Sequence, residues 1–339
     1  MRRSAIRLED IADTHNLAAA FHAAAKGKRG RGDVEDFRAH FEREIAALRR
    51  EILEGALELG RMRCFRIHDP KPRLIHAPCF RERVLHHAVM ALAGPVLDRA
   101  LVFDSYACRV GKGTLAAVQR VRAHASQFAW YGQIDIAGYF ASIDHAVLRG
   151  LLARKFRDEG VLGLLSRIVG AYSAAPGRGL PIGALTSQCL ANFYLDGADR
   201  ELTERVGVRG FVRYMDDLIW WGEDQAGVEA ALGAVRRFAG DVLRLRVKQP
   251  ERIGMSREGI RFCGYRVWRG RILLSRRRQV RYGLLRAAAE RGWVDGALDG
   301  RGLQAAYACA RGLTAHADAA AWRRAELRRR PVAGALAFA

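Results

Sequence analysis

The spacing of apolar positions changes several times along the chain, and each change predicts an element. Residues 23–33, AAAKGKRGRGD, carry no periodic apolar face and predict a flexible basic loop, with Asp33 placed to cap the helix that follows. That helix is written in VEDFRAHFEREIAALRREILEGALELG, where apolar residues recur at helical spacing and charges fill the other face. CFRIHDPKPRLIHAP then alternates between prolines and predicts a short hairpin or two strands, before FRERVLHHAVMALAGPVLDRAL returns to helix. From residue 131, YGQIDIAGYFASIDHAVLRGLLARKF reads as strand, turn and helix, with Ser142 or Asp144 as the helix cap. A helical block at 186–205 precedes an aromatic hairpin at 211–222. After a further helix come the basic strand LRLRVKQPERI and the hairpin-like GIRFCGYRVWRGRILLS. The stretch from Arg276 onward is helical and very basic. No internal repeat interrupts this order, so the pattern predicts an α+β architecture with a sheet in the middle and helices at both ends.

Charge changes this picture more than length does. The 339 residues suffice for two or three packed subdomains. Fifty-seven Lys and Arg stand against 36 Asp and Glu, a net charge of +21, which points to a polyanionic partner: nucleic acid first, an anionic membrane surface second. No apolar run reaches the length of a membrane span, and the N-terminus lacks the apolar core of a secretory signal, so a cytoplasmic protein is expected. Cys64, Cys79, Cys108, Cys189, Cys263 and Cys309 form no CxxC pair, which argues against a zinc knuckle or a disulfide framework and predicts reduced, mostly buried thiols.

The chemistry concentrates in RYMDDLIWW, residues 213–221, where Asp216 and Asp217 stand side by side within an apolar, aromatic run. Adjacent buried carboxylates are costly unless positive charge compensates them. A lone Asp-Asp pair is most often a solvated turn. Here a third acid, Asp135, ends another apolar strand in QIDIAGYF, and neighbouring strands would bring all three together. Such a cluster suits hard divalent cations, and two of them roughly 4 Å apart clamp the attacking and leaving oxygens of a phosphoryl transfer.

These motifs resemble, in order, those of the reverse transcriptases, over residues of about 60 to about 275. YMDD resembles that family's catalytic hairpin and DIAGYF the strand carrying its first aspartate. GLPIGALTSQCLANFYL, 179–195, stands in the place of the nucleotide-pocket loop, and FCGYRVW, 262–268, in that of the primer-grip hairpin. The loop departs from the commonest pattern, with Ile182 where a glutamine is usual and Gln188 where a proline is usual. That version is similar to the reverse transcriptases of diversity-generating retroelements, which copy a template-repeat RNA into cDNA and misincorporate mainly opposite adenine.

The resemblance implies a right-hand polymerase: an N-terminal helical extension over 1–60, fingers and the start of the palm over 61–134, palm with the primer-grip hairpin over 135–274, and a basic helical thumb over 275–339. It implies two Mg²⁺ ions held by Asp135, Asp216, Asp217 and the carbonyl of Ile136. It places Lys71 and Arg73 on the incoming triphosphate, Phe140 as the gate against a ribose 2′-hydroxyl, Ile182 and Gln188 in the nucleotide pocket, and Lys248 as the proton donor to pyrophosphate. Template RNA, the RNA/cDNA duplex, dNTPs and a small basic accessory protein are the implied partners, with no membrane, in a bacterial or phage-encoded setting. A reverse transcriptase of the retron, group II intron or phage-defence type, or a catalytically silent nucleic-acid-binding scaffold, are the alternatives. Plainer readings cover the rest. His86 and His87 face different sides of one helix, in the core or toward nucleic acid, and GKGT at 111–114 lacks P-loop spacing and reads as a basic loop near the template. Trp130, Tyr131, Trp220 and Trp221 are packing residues.

Overall fold

The structure, a computed structural model, describes residues 3–68 and 72–331. Its N-terminal part is helical: α1 (Leu8–Ile11), α2 (Thr14–Ala25) and α3 (Gly32–Ala39) pack on the long α5 (Phe80–Asp98), while α4 (Phe41–Glu54) packs on those three and is tied to α5 by Arg81 with Glu44 and Glu51. Phe21 of α2 is the hub, with the rings of Phe37, Phe41 and Phe80 at 5.3, 5.1 and 5.9 Å. The single helix expected after residue 33 is two, broken at His40 (φ −115°, ψ 29°). Asp33 lies inside the first turn of α3 and does not cap it. Its carboxylate takes the Arg31 guanidinium at 3.0 Å in a charge-assisted pair. Between α4 and α5 the expected hairpin forms as β1 (Met62–His68) and β2 (Pro72–Pro78), an antiparallel ribbon that, among the described residues, pairs with no other strand.

The central sheet runs β4 (Gly210–Tyr214), β5 (Asp217–Gly222), β3 (Trp130–Asp135), β6 (Arg252–Met255), every neighbour antiparallel. Alternation along β5 divides the core. Leu218 and Trp220 face one cluster with Ile134, Phe211 and the apolar side of α12 (Gln225–Asp241). Ile219 and Trp221 face the other with Tyr131, Val212 and α6 (Thr114–Gln127). Packing therefore accounts for the aromatics, and Trp130 alone among the four is half-buried.

Trp220 lies across Gly132, its partner in the β3–β5 register, and donates from Nε1 to Val228 O at 3.2 Å. A Cβ on Gly132 would meet the indole at 2.3 Å. Gly132→Ala should therefore force the ring from its slot and cost about 1–3 kcal/mol, read as a lower urea midpoint at unchanged slope.

After β3 the chain turns through α7 (Tyr139–Ser142) into α8 (His145–Ala153), capped as expected by Asp144, whose carboxylate accepts from Ala146 and Val147 N–H. Helices α9 (Glu159–Gly170), α10 (Leu185–Tyr194) and α11 (Asp196–Arg200) follow, and a π-helical turn over 201–206 leads into β4. The expected basic strand is shorter than its pattern: regular pairing begins at Arg252, preceded by one bridge, Ile136 to Val247. The hairpin expected over 259–275 is a three-stranded meander, β7 (Ile260–Phe262), β8 (Tyr265–Trp268) and β9 (Arg271–Leu274). It leads into α13 (Arg276–Val294), α14 (Gly300–Gly312) and α15 (Ala320–Arg329). The cysteines are free as expected, yet Cys64, Cys79, Cys108 and Cys309 are exposed. Cys64 is the clearest case, since it sits on β1, a ribbon exposed along nearly all its length. Among the described residues no helix is long and apolar enough to cross a membrane.

Candidate active site

The β4–β5 hairpin closes with Tyr214 opposite Asp217, leaving Met215 and Asp216 as a two-residue turn. Such turns need left-handed backbone and favour Asn-Gly, yet here Met215 takes φ 57°. Arg213 holds it there. Its guanidinium donates to Met215 O at 3.0 Å, to Asn192 Oδ1 and O at 3.0 Å, and to both oxygens of Asp199 at 2.7 and 2.8 Å. Arg213 and Asp199 are both fully buried. Burial pushes the Asp199 carboxyl up, to about 6, against the pull of Arg213.

This turn puts Asp216 beside Asp135, while Asp217 pairs directly across the sheet from Asp135. Burial, with the neighbouring Asp135 charge, pushes Asp216 up to about 6. Asp217 rises to about 7 by burial and the other two carboxylates, opposed by a hydrogen bond from Gln133. The cluster is short of positive charge, as its sequence implied. Lys248 supplies part of it: Nζ donates to Asp135 Oδ2 at 2.7 Å, and its backbone N–H to Asp135 O at 2.8 Å. The bridge of Ile136 to Val247 draws its hydrogen bonds from Asp135 O and Ala137 N, not from Ile136 itself.

The remaining expected residues distribute around this centre. Arg73, on β2, is exposed and its charge lowers the Asp216 carboxyl. Lys71 lies outside the described residues. Phe140 is half-buried against the main core and accepts at its carbonyl from Leu180 N–H, 2.7 Å away, which fastens the 179–184 loop to α7. The loop's other side is hooked to β2, where His76 N–H donates to Ile182 O at 2.8 Å. Gly183 is obligatory there: at φ 124°, a Cβ would meet Ile75 Cγ2 at 2.8 Å. Ile182 is half-buried. Gln188, on α10, is exposed and its Oε1 lies 3.5 Å from Cys108 Sγ. His86 is buried and pushed down to about 4 by burial, hence neutral at pH 7, while His87 is half-buried. In the 111–114 loop Lys112 is tied down, 3.3 Å over the Phe103 ring and donating to Phe103 O.

Hard carboxylate oxygens at partly uncompensated charge fit a divalent cation. Among the described residues, however, no three His, Cys, Asp or Glu side chains are arranged as a ready metal cage. Asp217 is engaged by Gln133 Nε2 at 2.8 Å and Asp135 by Lys248. Neither Gln133 nor the Arg213–Asp199–Asn192 network was anticipated. The signals were an amide two residues before Asp135, on the same strand face, and an arginine in an otherwise apolar strand. Beside the site, β7–β8 and α13 bound a groove of about 1150 Å³ whose lining includes Arg261, Arg266, Arg276, Arg329 and Trp322.

Residues 68–267 match the reverse transcriptase (RNA-dependent DNA polymerase) family, and the chain belongs to it. The α+β fold, with its antiparallel palm sheet carrying the acids, is that of a right-hand polymerase, and the reverse transcriptase family works with divalent metal ions, an RNA template and nucleotide substrates. Among curated relatives, the group II intron-encoded protein LtrA of Lactococcus lactis subsp. cremoris is 24% identical over 190 residues, 52% of this chain and 31% of its own. Protein YkfC of Escherichia coli K12 is 26% identical over 178 residues, 48% of this chain and 46% of its own. The chain thus spans less than half the length of either. A solved structure of apo telomerase from Candida Tropicalis aligns with a TM-score of 0.47 and 9% identity, covering 67% of this chain and 52% of that one.

Proposed function

We propose that this chain synthesises DNA on an RNA template, with Asp135, Asp216 and Asp217 as the acidic centre. The observation that carries the reading is the register of β3 and β5, which sets Asp135 against Asp217 with Asp216 in the adjoining turn. Two Mg²⁺ ions would be held by Asp135 and Asp216, with the Ile136 carbonyl and Asp217 completing the set, and would supply charge neutralisation and Lewis acidity to a triphosphate. Lys248 orients Asp135 and donates a proton to the departing pyrophosphate. Arg73 and Lys71 neutralise the triphosphate, which suits a reaction dominated by positioning and electrostatics. Phe140, fixed by the Leu180 hydrogen bond, crowds a ribose 2′-hydroxyl and selects dNTPs. The arginine-lined groove takes the phosphates of the RNA/cDNA duplex. The domains follow as extension 1–60, fingers and palm start 61–134, palm 135–274 and thumb 275–339.

The finer reading is a mutagenic enzyme of the diversity-generating type, working with a template-repeat RNA and a small basic accessory protein in a bacterial or phage-encoded setting. Ile182 supports it. Its carbonyl is spent on His76, and its side chain offers a nucleotide shape with no polar restraint, which weakens discrimination between paired and mispaired bases. Gln188, with Gly183 and Ala184, lines a cavity between β2 and α5 that adjoins the loop. Primer extension on RNA with sequenced products tests this. The wild type should err mainly opposite adenine, and Ile182→Gln should lower the error rate roughly tenfold; an unchanged rate removes Ile182 from the explanation. The intron-encoded relatives favour a second reading, an intron-type enzyme, which faithful wild-type cDNA would select. No cDNA even with cognate RNA and accessory protein would leave a silent scaffold.

A further inference from the structure

Gln133 sits where two parts of the molecule that a polymerase must keep in register come together. It is nearly buried in the middle of the apolar strand β3. Its Nε2 donates to Asp217 Oδ1 at 2.8 Å and to the backbone carbonyl of Arg261, on β7, at 3.1 Å. Both neighbours of Nε2 are acceptors, so the amide has one workable orientation, with each N–H spent on one of them. Its own Oε1 is then buried with no hydrogen-bond partner among the described residues. A buried acceptor left unsatisfied costs stability, and an apolar residue would fill a strand interior without that penalty. The retained amide therefore points to a task for its two N–H groups.

The far end of the bridge is well anchored. One residue beyond β7, Cys263 turns the hairpin with φ 46°, and its carbonyl accepts from Arg278 Nη2 at 3.3 Å. Arg278 also lies 4.1 Å over the Tyr265 ring and donates to Leu313 O at 3.3 Å, so the β7–β8 turn is held to α13 and to the end of α14. The near end is equally fixed, since Asp217 stands in β5 opposite Asp135. Gln133 thus links the acidic centre directly to this hairpin unit.

We infer that Gln133 is a positioning residue: it sets the Asp217 carboxylate against the β7–β8 hairpin, so that a primer end seated on the hairpin arrives in register with the acidic centre. This rests on the polymerase reading above. Loss of the strut leaves both partners present but misaligned, so the turnover step suffers far more than duplex binding, which is shared among the several arginines of the adjoining groove, Arg266, Arg276 and Arg329 among them.

The test uses the full chain carrying Gln133→Met, which keeps the volume and removes both donors, and Gln133→Glu, which keeps the shape. Steady-state extension of a primer on RNA gives kcat and KM, fluorescence anisotropy gives the duplex Kd, and thermal melting reports the fold. Either variant is expected to lose about 10- to 100-fold in kcat, as outer partners of metal-site carboxylates do, with Kd within twofold. Added to Asp217→Asn, Gln133→Met should bring little further loss, because its effect runs through that carboxylate. An unchanged kcat, a loss that multiplies fully with Asp217→Asn, or a kcat loss matched by weaker duplex binding would each overturn the assignment. If Gln133→Met melts early, the same readings are taken on Gln133→Glu alone. Absence of extension by the wild type would instead strike the polymerase reading and is seen before any variant is made.

Discussion

Asp216→Asn should lose primer extension by at least about 10³-fold, the equivalent of roughly 4 kcal/mol of transition-state stabilisation, while melting at a higher temperature than the wild type. Both effects have one origin. Burial and the Asp135 charge push the Asp216 carboxyl up to about 6, so at neutral pH the fold holds an ionised group it disfavours. An isosteric amide removes that repulsion, worth on the order of 2 kcal/mol. The sign fixes the pH window. A raised carboxyl pKa penalises the folded state only once the group ionises, so the wild type should lose stability as pH rises from about 4 to above 6, and the variant's advantage should vanish near pH 4. In EDTA the difference should be largest. Added Mg²⁺ should stabilise the wild type and leave Asp216→Asn nearly unmoved. Equal melting at every pH and metal concentration would mean that the carboxylate is not under the strain described.

Arg213→Met should destabilise the fold by about 3–5 kcal/mol, the usual consequence of stranding one member of a buried ion pair. Asp199 would remain fully buried with its guanidinium gone, and two Asn192 atoms and Met215 O would lose their donor. Against the 5–15 kcal/mol that domains typically hold, such a loss shows as a much lower urea midpoint and less soluble protein. Arg213→Lys should recover little, because a lysine cannot reproduce the planar fork. Replacing both partners, Arg213→Met with Asp199→Leu, should restore most of the stability while the 215–216 turn, no longer tied at Met215 O, still costs activity.

The comparison of these two residues shows what a sequence can disclose. Asp216 and Asp217 were visible because the anomaly is local: acids inside an apolar run, with a hairpin's worth of β-formers on each side. Asp144 was readable as a cap for the same reason, the N–H groups that donate to it lying two and three residues ahead. The partners of Arg213 lie 14 and 21 residues away, and those of Gln133 lie 84 and 128 away. No spacing rule connects them, and only the sheet register does. The break at His40 and the third strand of the meander escaped because propensity favours continuation at both places while tertiary packing decides otherwise. The order of motifs carried the family. The subtype resemblance rests on less: Ile182 in the 179–184 loop, Gln188 on α10, and the stretches KPRLIHAPCFRERVLHHAV and FDSYACRVGKGTLAAV.

The β1–β2 ribbon has mechanical meaning. Two strands alone are marginal in water, and β1 is exposed from Arg63 to His68, so its amides should exchange with solvent rapidly, far ahead of those in β3 and β5. The ribbon's inner end is pinned where His76 meets Ile182. Arg73 stands on the exposed part of β2 and Ile182 at its anchored end, so the two are coupled through the strand. A negative charge bound at Arg73 therefore pulls on the same strand that holds the 179–184 loop through His76.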